Sequence, residues 1–151
     1  MSNPTADDHD PRYRLLLYHK QSTSARTRFL RMEHGITAFQ PLPPLSQVIE
    51  REVGAADDQD KVRLHPAAII ARAEQALNLP RGGLEAQGSF RILVETPAGN
   101  VQIFLARFTA VDPPFAEVEA LAGRFIDLTQ ARGLAPAEMD LLRSAYEYIM
   151  G

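Results

Sequence analysis

Two stretches of the chain carry the clearest pattern of apolar and polar positions. Between Gly88 and Val111, Phe90, Ile92 and Val94 recur at every second residue, and Val101 to Phe108 is mostly apolar. A repeat of two belongs to a strand with one covered face, so this stretch predicts a hairpin that turns at Pro97-Ala98-Gly99. A three-residue loop places Pro97 and Ala98 in a type I turn and Gly99 in the left-handed bulge position, pairing Thr96 with Asn100 and Ile92 with Phe104. A two-residue loop competes, with Ile92 opposite Leu105. The first is expected, because it gives proline and glycine the backbone angles they favour.

The second stretch is helical in period. Asp112-Pro113-Pro114 caps a predicted long helix with Phe115, Val118, Leu121, Ala122, Phe125, Ile126 and Leu128 on one face, ended by Gly133. Pro136 opens a last helix from about Ala135 to Met150, and the short connection predicts an antiparallel helical hairpin. In that last helix Met139, Leu141, Leu142, Ala145, Tyr146, Tyr148, Ile149 and Met150 span an arc of roughly 200°. One neighbour does not cover such an arc. Either the helix is wedged between a sheet and the preceding helix, or it forms a homodimer interface.

Earlier in the chain the pattern is weaker. Arg12 to His19 reads as a strand, Thr27 to Met32 as its partner, and Gln21 to Ala25 as the polar turn between them. Gly35 to Pro44 holds three prolines and predicts a structured loop. Leu45 to Val53 predicts a short helix capped by Ser46 and stopped by Gly54, followed by an acidic connector, Ala55 to Asp60. His65-Pro66 opens a helix with Ile69, Ile70, Ala73 and Leu77 as its stripe, closed by Pro80-Arg81-Gly82-Gly83. The expected architecture is α+β: an antiparallel sheet of two hairpins packed against a central helix and a C-terminal helical hairpin. Residues 1–11 form an expected disordered acidic tail, and residues 12–151 a single α+β domain.

Charge changes this picture at one place. The chain has a net charge of −3, yet residues 12–31 hold Arg12, Arg14, Lys20, Arg26, Arg28 and Arg31 and no acid. Asp7, Asp8 and Asp10 precede that block, and the remainder of the chain is acidic in balance. A partition of this kind points to an anionic partner or to pairing with the chain's own acids. Arg12, Arg14, Arg26, Arg28 and Arg31, with Arg63 and His65 at the start of the central helix, are the candidate ligand-binding residues. Tyr13 and Phe29 are available for stacking, a combination useful for single-stranded nucleic acid, but the acidic total argues for internal or intersubunit pairing.

The remaining chemistry is sparse. With no cysteine there is no disulfide, thiolate metal site or cysteine nucleophile. His9, His19, His34 and His65 include no i, i+4 pair, so spacing predicts no metal site, and no cofactor motif is present. Gly82-Gly83 follows a helix and precedes a hairpin, the reverse of a phosphate-cradling loop. Glu117 and Glu119, or Glu50 and Glu52, stand two apart on predicted helices and diverge. No export signal or apolar run of membrane-spanning length occurs, so the expected setting is cytoplasmic.

These absences lead to the expectation of a non-enzymatic accessory or protein-interaction domain, acting as a homo-oligomer or with a protein partner rather than with nucleic acid or a membrane. The alternative is a small anionic-ligand-binding protein or enzyme with a pocket near His65 and the basic N-terminal strands. Convergence of His19, His34 and His65 on one pocket would favour that alternative.

Overall fold

The run Tyr13-Arg14-Leu15-Leu16-Leu17-Tyr18-His19 is buried at every position, the mark of a strand covered on both faces. The computed structural model describes residues 12–50 and 65–151, and that strand lies inside its sheet. In chain order the elements are β1 (Tyr13–Lys20), β2 (Thr27–Arg31), β3 (Gln47–Glu50), α1 (Pro66–Ala76), β4 (Leu84–Ala86), β5 (Ile92–Thr96), β6 (Gly99–Phe108), α2 (Phe115–Glu119), β7 (Arg124–Ile126) and α3 (Pro136–Met150). A 3-10 turn at Leu128–Gln130 precedes α3. The strand order is β3-β5-β6-β1-β2-β7, with β4 pairing β6.

The α+β class is the expected one, but the sheet is mixed rather than antiparallel throughout. β1 runs parallel to β6, from Tyr13 opposite Gln102 to Tyr18 opposite Arg107, so the second hairpin docks on the first by a parallel seam. Leu16, Tyr18, Phe29, Ile92, Val94, Ile103 and Leu105 face α3, while Tyr13, Leu15, Leu17, Leu30, Ala106 and Phe108 face α1 and α2. The alternation along β1 thus feeds two cores.

The β5–β6 loop corrects both expected registers. It has two residues, Pro97 and Ala98, with Thr96 opposite Gly99 and Ile92 opposite Ile103. Gly99, at φ +127°, is a strand residue here. The Thr96 hydroxyl closes the turn, donating to the Gly99 carbonyl at 2.7 Å and accepting from the Ala98 N–H at 3.2 Å.

The C-terminal helical hairpin does not form. α2 ends after five residues because Ala122 turns into the left-handed region at φ +59°. The Ala122 N–H then donates to Glu119 O at 2.9 Å and the Gly123 N–H to Val118 O at 3.0 Å, the paired closing bonds of a Schellman motif. A Cβ on Gly123 would come within 3.1 Å of the side chains of Leu30 and of Val118, a tight approach that glycine avoids. Beyond it, Phe125 and Ile126 are strand residues in β7, paired with Leu30 and Phe29. The expected helix at Leu45–Val53 is likewise replaced, over its described part, by edge strand β3, antiparallel to β5.

α3 is the helix on one face of the sheet, where Ile36, Phe90 and Ala131 from the connections join the same core. Leu141, Leu142 and Ala145 are fully buried, and Met139, Tyr146, Tyr148 and Ile149 pack at the margins of the same core. Burying each leucine contributes about 1.5–3 kcal/mol. The wide apolar arc that suggested a dimer is therefore covered largely within the chain, leaving Met150 as its exposed large apolar residue. The tail, residues 1–11, and the 55–60 connector lie outside the described residues.

Candidate functional site

A small cleft, partly open to solvent, lies where β1, the loop after β2 and α1 meet. It is lined by Tyr13, Arg14 and Leu15 from β1, Ala38, Phe39 and Gln40 from the loop, and Ile69, Arg72 and Ala73 from α1. Each wall follows from local sequence. α1 starts at Pro66, whose missing N–H costs nothing at a first helical position, and Ile69 and Ala73 form its buried stripe. It ends at Asn78, φ +55°, with the Asn78 N–H on Gln75 O and the Leu79 N–H on Glu74 O. Arg72 stands beside that stripe and is exposed.

The loop wall is held from several sides. The Ala38 N–H donates to the Leu15 carbonyl at 2.8 Å, extending β1 where β2 does not reach. The Gln40 N–H donates to Ala38 O at 2.8 Å, with Phe39 between them at φ +68°. That is a γ-turn of the rare sign, a strained geometry of order 1–3 kcal/mol for a side chain of this bulk. The surrounding contacts hold it: Thr37 Oγ1 donates to Gln40 O at 2.5 Å, and His34 Nε2 donates to Thr37 O at 2.6 Å.

Glu138, 6% exposed, fixes the root of the same loop. Its Oε2 accepts from the Ile36 N–H at 2.7 Å, and its Oε1 accepts from the Ala135 N–H at 3.2 Å at the start of α3. Glu74, also buried, accepts from the Gly82 and Leu84 N–H groups at 3.0 and 3.1 Å. Both carboxylates serve as backbone clamps.

The predicted ligand-binding arginines do not gather on one face. Arg14 is 6% exposed, and its Nε and Nη1 donate to Pro41 O and Tyr13 O, each at 2.8 Å. Arg26 grips Asp127 from Nε at 3.2 Å and Nη2 at 3.1 Å. The hydrogen bond to Arg26 holds the Asp127 carboxyl below its ordinary range, and the same pair raises Arg26. Arg28 donates to Gln21 Oε1 at 3.2 Å and lies over the Phe115 ring at 5.9 Å. Arg31 donates to Arg132 O at 2.9 Å and Gln130 O at 3.5 Å. Arg28 and Arg31, an odd number of strand positions apart, reach opposite faces, which is why the block makes no single patch. Arg12 is exposed, and Arg63 lies outside the described residues.

The histidines do not converge on the cleft. His65 is exposed at the N-cap of α1 and makes no side-chain cap. His34 belongs to the loop, and His19, 1% exposed, directs Nε2 at Ala110 O and Val111 O at 2.9 and 3.1 Å. Of the expected site residues that are described, Arg14 alone lines the cleft. Arg72, Phe39 and Gln40 were not foreseen as site residues. Arg72 had a faint signal, a cation flanking an apolar stripe, whereas the positive φ of Phe39 leaves no mark in sequence.

Among the described residues, no three His, Cys, Asp or Glu gather as a metal site would require, and no helix is long and apolar enough to cross a membrane. No protein-family model and no curated protein matches the chain. Among solved structures it is similar to the C. elegans Ap4A hydrolase, with a TM-score of 0.49 and 16% identity over 89% of this chain and 94% of that one. That neighbour is an enzyme, a finding that goes against the expected non-enzymatic interaction domain, although a likeness of this degree assigns no activity to the chain.

Proposed function

We propose that the protein binds a small anionic ligand in the cleft between β1, the 38–40 turn and α1. The observation that carries this reading is the composition of the lining, which among the described residues includes two arginines and no carboxylate in a chain that is acidic overall. Arg72 is the anion-binding group: it is exposed at the rim and makes no hydrogen bond or ion pair among the described residues. Arg14, fixed by two backbone carbonyls, adds positive potential close by. A strained aromatic residue in the wall is the kind of local cost that persists where a binding surface requires it. Arg26, Arg28 and Arg31 have internal acceptors, which weighs against the reading of the basic block as a nucleic-acid surface. A cytoplasmic setting accords with a chain that contains no cysteine.

The test is an amide-resolved NMR titration with sodium acetate and inorganic phosphate at constant ionic strength. Shifts should concentrate at Arg14, Phe39, Gln40 and Arg72, and Arg72→Gln should weaken the binding about tenfold, the effect of one charge-assisted hydrogen bond. Shifts scattered over the surface, or unchanged in the Arg72→Gln protein, would refute the site.

A further inference from the structure

We propose that a tetrahedral dianion of the phosphate type binds Arg31, Arg124 and Arg132 at the β7 edge of the sheet, away from the cleft, which none of the three lines. The strand register creates the site. β2 and β7 are antiparallel with Arg31 directly opposite Arg124, two positions along from the Phe29–Ile126 pair that belongs to the core under α3. Alternation along each strand sends both arginines to that same face, where they stand side by side. Like charges directly opposite one another destabilise an antiparallel pair, so an anion held between them offsets a repulsion built into the fold. Arg132 adds a third, exposed cation, and its carbonyl accepts from Arg31 Nη1 at 2.9 Å.

Among the described residues, no carboxylate supplies that offset. Asp127, three residues after Arg124, is gripped by Arg26, and Glu138 accepts from the Ile36 and Ala135 N–H groups. Glu33, exposed two residues after Arg31, makes no ion pair among the described residues. Arg31 is already oriented: it is half-buried, and Nη1 alone donates to Arg132 O and Gln130 O, leaving Nε and Nη2 without an acceptor among the described residues. A cation held in place in advance loses little freedom when an ion arrives. The charge of the ligand follows from the number of cations it meets. A monocarboxylate offsets one guanidinium, whereas a phosphate carries about two charges and has acceptor oxygens pointing several ways, so it reaches arginines that come from β2, β7 and the turn before α3.

The experiment titrates inorganic phosphate, methyl phosphate and sodium acetate into the intact chain at neutral pH and constant ionic strength, with amide-resolved NMR and thermal unfolding as readouts. Both phosphates should move the amides of Arg31, Arg124, Arg132 and Gly133, with a Kd at least about tenfold below that of acetate. Tighter binding of methyl phosphate identifies a phosphomonoester as the source and tighter binding of inorganic phosphate the free ion, either of which upholds the site. Arg124→Gln should weaken phosphate about tenfold. Because Arg124 is exposed and its charge is opposed by Arg31, the ligand-free variant should melt no lower than the parent, while phosphate raises the Tm of the parent more than that of the variant. Arg72→Gln should leave these shifts in place, which keeps the test separate from that of the cleft. Acetate binding as tightly as phosphate, undiminished phosphate affinity in Arg124→Gln, a ligand-free variant that melts below the parent, or no localised shift up to about 20 mM overturns the proposal.

Discussion

Removing the Glu138 side chain should loosen the loop that forms one wall of the cleft, and the structure sets the size of the effect. In Glu138→Ala the Ile36 N–H, 2.7 Å from Oε2 and attached to a residue 1% exposed, loses its acceptor. A buried donor left unsatisfied costs about 1–3 kcal/mol. The Ala135 N–H also loses Oε1 at the start of α3, worth about 1 kcal/mol for a helix-start contact. Together the loss is about 2–4 kcal/mol. For a domain of this length that corresponds to a fall in Tm of roughly 6–12 °C, taking a central ~3 kcal/mol. Urea unfolding should show the shift in midpoint with an unchanged slope.

Gly35 makes the argument specific. It lies at φ +147°, and a Cβ built on it would collide with the Glu138 carboxylate. Gly35→Ala should therefore destabilise through both backbone strain and that collision, while in a Glu138→Ala background only the strain remains. The double variant should be at least about 1 kcal/mol less destabilised than the sum of the singles. A loss under about 0.5 kcal/mol for Glu138→Ala, or additivity of the pair, would show that this clamp does not hold the loop.

Gly123→Ala should cost about 1–3 kcal/mol in urea unfolding, since the new Cβ meets Leu30 and Val118 at 3.1 Å and Met32 at 3.2 Å; a neutral result would mean that α2 and β2 are less closely packed than described. The Arg26–Asp127 pair should stabilise the fold at neutral pH and lose its effect in acid. The folded Asp127 carboxyl lies below 3.8, so its contribution is present above that value and disappears as pH falls through the lowered folded value. Comparing Arg26→Gln with the parent from pH 7 to pH 2 should show curves that converge at the acid end, and a gap that widens there would refute the assignment.

How far the sequence could be read depended on whether a period belonged to one residue run or to two. The segments Tyr13–Lys20, Pro66–Ala76 and Pro136–Met150 keep one period from end to end, and the first, like the two helix starts at proline, was legible. From Phe115 to Leu128 the apolar residues satisfy a helical repeat only when α2, the Schellman turn and β7 are counted as one element. Ala122 is the residue that breaks it, and alanine gives no warning of a left-handed angle because glycine or asparagine normally takes that position. At Asn78 the same motif closes α1 with the expected residue type, so the contrast lies in the capping residue and not in the motif.

The cleft was hidden for a related reason. Local charge density drew attention to residues 12–31, but a strand sends neighbouring side chains to opposite faces, so adjacency in sequence disperses cations that a helix or a loop would gather. Arg28 and Arg31 show this directly, one over Phe115 and the other on the carbonyls before α3. The exposed cation in the lining, Arg72, comes from α1, which meets the Tyr13–Leu15 end of β1, and β1 is placed in the middle of the sheet by its parallel pairing with β6. The site therefore depends on a long-range pairing that no local pattern encodes. The cleft becomes visible once β1, the 38–40 turn and α1 form a common surface.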